Sequence, residues 1–172
     1  RGTLYNNTSG DAAVSYEEPT WILDGGVACV ASGTYHTIVV MKDGTVRAWG
    51  NNRSGELGDG TTATQTSPVN VSEANPAFNH MVSAVCGAYG SSFLLRQDGY
   101  LWALGRYRWN NVQKTGALQI MDGVKAAFPN TSQDTLVLKR DGTLLGWNYY
   151  GQSSGSTTRL ANYNEPTQIL TG

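Results

Sequence analysis

One block of apolar and polar positions recurs along the chain. Ile38-Val39-Val40-Met41-Lys42-Asp43-Gly44-Thr45-Val46 returns as Phe93-Leu94-Leu95-Arg96-Gln97-Asp98-Gly99-Tyr100-Leu101, and again as Leu136-Val137-Leu138-Lys139-Arg140-Asp141-Gly142-Thr143-Leu144. In each copy an apolar run meets Asp-Gly and a second run follows: Val46 to Trp49, Leu101 to Leu104, Leu144 to Trp147. Asp-Gly between two such runs predicts a β-hairpin, because glycine tolerates the positive φ of a tight primed turn. Residues 38–40, 93–95 and 136–138 are apolar in succession. Such strands have no wet face, so stacked sheets are expected to cover them on both sides.

Flanking strands complete each unit. Val27-Ala28-Cys29-Val30 and Val82-Ser83-Ala84-Val85 precede the hairpins, whereas Pro68-Val69-Asn70-Val71 and Thr167-Gln168-Ile169-Leu170 follow them. The turn glycines are spaced by 55 and 43 residues, and Gly2-Thr3-Leu4 is a truncated copy 42 residues before Gly44. Tyr16-Glu17-Glu18-Pro19-Thr20-Trp21-Ile22-Leu23 reappears 147 residues later as Tyr163-Asn164-Glu165-Pro166-Thr167-Gln168-Ile169-Leu170. Four strands in units of roughly 40–50 residues predict an all-β fold, a partial β-propeller of four-stranded antiparallel blades. About three and a half blades fit one repeat domain over 1–172: a partial blade at 1–24, a blade with a trailing insert at 25–80, and blades at 81–122 and 123–172. No segment has helical periodicity of useful length.

Composition narrows the function. Among 172 residues, Lys+Arg number 12 and Asp+Glu 13, so no overall basic field exists to hold a phosphate backbone and no nucleic-acid partner is expected. No apolar run approaches the ~20 residues that span a bilayer, so membrane insertion is not expected either. The chain opens at Arg1 in the middle of the repeat, which suggests a processed chain or a piece of a longer one. Cys29 and Cys86 lack CxxC spacing and read as free, buried thiols.

Gly33-Thr34-Tyr35-His36-Thr37, Asp43-Gly44-Thr45-Val46-Arg47-Ala48-Trp49-Gly50-Asn51-Asn52, Gly55-Glu56-Leu57-Gly58-Asp59-Gly60-Thr61 and Pro68-Val69 closely resemble the regulator of chromosome condensation repeat. The next unit departs from that pattern: Ser91 stands at the histidine position, Leu104 at the tryptophan, and the glycine-rich loop is missing. The last unit keeps Trp147 and Gly151-Gln152. This divergence resembles bacterial members more than the eukaryotic nuclear exchange factor. The resemblance implies a propeller, a structural role for His36, and a protein-binding function.

The residues that invite a chemical reading have structural explanations. His36 has no adjacent Asp, Ser or Cys partner in sequence, and neither it nor His80 has a second ligand at metal spacing. The glycine-rich loop lacks a P-loop lysine and opens no helix. Asp43, Asp98 and Asp141 recur at turn positions, where a carboxylate accepts local backbone N–H groups. No enzymatic activity, cofactor or metal is implied.

Large side chains on the connections suggest a binding rim. In a four-stranded meander the connections between strands one and two and between strands three and four emerge on one rim, with the Asp-Gly turns on the other. The first rim is expected to carry Tyr35, Tyr89, Arg106, Tyr107, Arg108, Trp109, Tyr149 and Tyr150, with Asn51, Asn52 and Arg53 among them. Tyr, Trp and Arg are enriched in protein-binding hot spots. The expected function is a non-enzymatic protein-interaction module, part of a larger bacterial surface or secreted protein. The alternatives are an exchange-factor-like regulator of a guanine-nucleotide-binding protein and a carbohydrate-binding module. An open arc of blades would also expose apolar terminal faces, through which it could associate with a second copy or with further blades.

Overall fold

A computed structural model describes residues 2–3, 15–16, 22–86, 90–109, 112–114, 116–129, 134–148 and 166–170. Blade 1 is formed by β3 (Val27–Ser32), β4 (His36–Met41), β5 (Val46–Gly50) and β6 (Gln65–Asn70) in meander order. It follows a two-stranded pair, β1 (Gly2–Thr3) with β2 (Ser15–Tyr16). In blade 2, β7 (Met81–Cys86), β8 (Ser91–Arg96), β9 (Leu101–Gly105) and β12 (Leu118–Met121) form the sheet. A hairpin, β10 (Tyr107–Trp109) with β11 (Val112–Lys114), is inserted before its last strand. Blade 3 contains β13 (Val124–Pro129), β14 (Asp134–Lys139), β15 (Leu144–Asn148) and β16 (Thr167–Leu170). The all-β partial propeller expected from the repeat is the observed architecture.

The consecutive apolar positions divide between the two faces of each sheet. Ile38 and Val40 pair with Ala48 and Val46, and these four residues pack against Leu94 and Leu104 of blade 2. On the other face of blade 2, Phe93, Leu95, Leu101 and Ala103 pack against Val124, Ala127, Val137 and Trp147 of blade 3. Phe93 and Trp147 meet edge-on at 6.4 Å. Period-two alternation thus supplies two apolar faces per strand, and each seam between blades is a core.

The Asp-Gly hairpins differ in detail from the primed two-residue turn. Met41 N–H donates to Thr45 O at 2.8 Å and Gly44 N–H to Met41 O at 2.9 Å, which encloses three loop residues. Only the glycine is left-handed, at φ 83°, 94° and 88° for Gly44, Gly99 and Gly142. This is a type I turn followed by a left-handed residue, in which Asp43 has ordinary backbone geometry. Its carboxylate accepts from Thr45 N–H at 2.9 Å and Thr45 Oγ1 at 2.7 Å; Asp141 accepts likewise from Thr143 N–H at 2.9 Å. These bonds, the Thr45 hydroxyl foremost for Asp43 and the Thr143 amide for Asp141, hold both carboxyls below the ordinary aspartate range.

The turns also staple one blade to the next. Met81 N–H donates to Gly44 O at 3.0 Å and Val124 N–H to Gly99 O at 2.9 Å. The residue before each of these strands is left-handed: His80 at φ 61° and Gly123 at φ 62°. His80 is exposed and occupies a conformation that glycine fills in the next repeat. Where an irregular insert was expected, Val71–Ala74 form one helical turn and Pro76–Phe78 a 3₁₀ turn. Phe78 from this link lies edge-on to Trp102 at 5.4 Å and is fully buried in the first seam.

Candidate functional site

The connections of blade 1 converge on the seam with blade 2. His36 opens β4 and is buried; its Nε2 lies 2.6 Å from Ser92 Oγ on β8. The Ser92 hydroxyl donates to Glu56 O at 3.2 Å, so Nε2 carries the imidazole proton and donates to Ser92. Burial lowers the His36 pKa from 6.5 to about 4, which keeps the ring neutral near pH 7. The Ser–His pair is therefore a buried strut between blades. Its serine proton points away from the imidazole. The serine lies 56 positions from the histidine and was missed in sequence; Ser91-Ser92 opposite a strand-opening histidine was the available signal.

The glycine-rich connection after β5 folds around two side chains. Asn52, expected on the rim, is instead fully buried: its Oδ1 accepts from Leu57 N–H at 3.0 Å, and its Nδ2 donates to Asp59 Oδ1 at 2.8 Å and Thr61 O at 3.1 Å. Asp59 also accepts from Thr61 N–H at 2.9 Å and from Gln65 Nε2 at 3.1 Å. Burial raises the Asp59 pKa, but the donors from Thr61, Asn52 and Gln65 outweigh it and hold the carboxyl below the ordinary value. Glu56 is fully buried, accepting from Asn51 Nδ2 and, at 2.7 Å, from Ser54 N–H. These bonds drive Leu57 into the first seam, beside Phe78 and Leu104.

The expected rim residues separate. Tyr35 is 44% exposed, and Arg106 and Arg53 are exposed as well. Tyr107 is a correction: at 2% exposure it is buried in the second seam with Phe93 and Trp147. Blade 2 lacks the loop that in blade 1 inserts Leu57 into the first seam, and Tyr107, in the corresponding connection, fills the second seam instead. Burial raises its phenol to about 12, so it stays protonated. Arg108 and Trp109 lie on β10, paired with Gln113 and Val112; their side chains, with Tyr89, Tyr149 and Tyr150, lie outside the described residues. Cys29 is a half-buried free thiol, and the Cys86 side chain lies outside the described residues. Among the described residues no three His, Cys, Asp or Glu side chains group as metal ligands, and no helix is long and apolar enough to cross a membrane.

Four-stranded meander sheets, stacked through apolar seams and stapled turn to strand, define a repeat-built β-propeller. The regulator of chromosome condensation (RCC1) repeat matches residues 27–56 and 43–94, so this part of the chain carries repeats of that family. It is 30% identical over 92 residues to the X-linked retinitis pigmentosa GTPase regulator homolog of Caenorhabditis elegans, covering 54% of this chain and 6% of that protein. Solved structures with the same fold include human WBSCR16, 20% identical with a TM-score of 0.60 over 94% of this chain and 41% of that one. Another is Prp20p of Saccharomyces cerevisiae, studied for its binding to Gsp1p and histones, at 17% identity and TM-score 0.59 over 88% of this chain and 40% of that one. Yeast RCC1 (Prp20), bound to Kap60, gives 17% identity and TM-score 0.64 over 98% of this chain and 44% of that one. The chain thus spans about two fifths of the propellers it matches and a small part of the curated relative.

Proposed function

We propose that the chain is a protein-interaction propeller, working without catalysis, whose partner docks on the rim formed by the connections between strands one and two and between strands three and four. The observation that carries this reading is the difference between the rims. On one side Asp43-Gly44, Asp98-Gly99 and Asp141-Gly142 close three similar loops. On the other side the connection is a packed loop over residues 51–64 in blade 1 and an inserted hairpin in blade 2. Loops that vary on a rigid scaffold are where binding specificity resides. This rim exposes Tyr35, Arg53 and Arg106, residue types that anchor protein interfaces. The structural relatives studied with Gsp1p, histones and Kap60 support a protein partner.

A second reading, regulation of a guanine-nucleotide-binding protein by nucleotide exchange, is supported by the relative named as a GTPase regulator homolog. Affinity capture with the whole chain tests the interaction reading. Tyr35→Ala combined with Arg106→Glu is expected to lower capture of the bound protein roughly tenfold or more. The thermal transition should stay in place, and Tyr100→Ala on the opposite rim should have no effect. Unchanged capture in the double variant would overturn the assignment.

A further inference from the structure

We draw no further inference here: the strongest candidate, the half-covered apolar face of blade 3 formed by Phe128, Leu136, Leu138 and Leu144, carries none because nothing in the structure shows what covers it.

Discussion

His36 is the residue whose burial has the clearest consequence in solution. Its folded pKa, about 4, lies below the ordinary 6.5, so the fold favours the neutral ring. As pH falls through 6.5 the unfolded chain takes up the proton first, and stability drops until pH reaches about 4, below which this contribution is constant. Above 6.5 the contribution is fully present. The loss across that window is about 3 kcal/mol, and chemical denaturation measured at several pH values is expected to show it. His36→Gln should flatten the slope, because glutamine can still donate to Ser92 but does not titrate there. A slope unchanged in His36→Gln would assign the acid sensitivity to other groups. Asp59 acts lower: its pKa is depressed, so its contribution is present above the ordinary aspartate pKa and is lost as pH falls through the depressed folded value.

At the scale of elements, the seams between blades are plugged by residues from the connection after each third strand. Leu57 serves the first seam and Tyr107 the second. Leu57→Ala should therefore cost about 2–5 kcal/mol and Tyr107→Ala about 3–5 kcal/mol, read from denaturant unfolding. A Tyr107→Ala protein of unchanged stability would contradict its placement. Repeats made the hairpins legible in sequence, since Ile38-Val39-Val40 and its two copies place apolar residues on both faces of a strand. The turn glycines were legible for the same reason, but whether the loop holds two or three residues depends on the Asp43 backbone, which Asp-Gly alone does not specify. The site was less legible. Tyr107 and Asn52 stand among exposed-looking loop residues, and only the tertiary placement of the connection decides that one fills a seam and the other holds a loop. The Ser92 partner of His36 lay hidden because it belongs to the neighbouring blade.

At the scale of the whole molecule, and among the described residues, an apolar face of blade 3 is less covered than the corresponding face of blade 2. Leu136, Leu138 and Leu144 correspond to the buried Phe93, Leu95 and Leu101 of blade 2, yet are only half-buried, and Phe128 beside them is 55% exposed. Sedimentation of the chain is expected to show concentration-dependent association, reduced by Phe128→Asp. A monomer at all concentrations would show that the face is satisfied as it stands. The rim proposed for partner docking is a different surface, bearing Tyr35, Arg53 and Arg106. The most direct test places a photo-reactive phenylalanine analogue at position 35 or, on the opposite rim, at position 100. Both positions are exposed tyrosines in the native chain. Irradiation in the presence of the captured partner should give a covalent adduct from position 35 and none from position 100; an adduct from position 100 alone, or equally from both, would contradict the assignment of function to this rim.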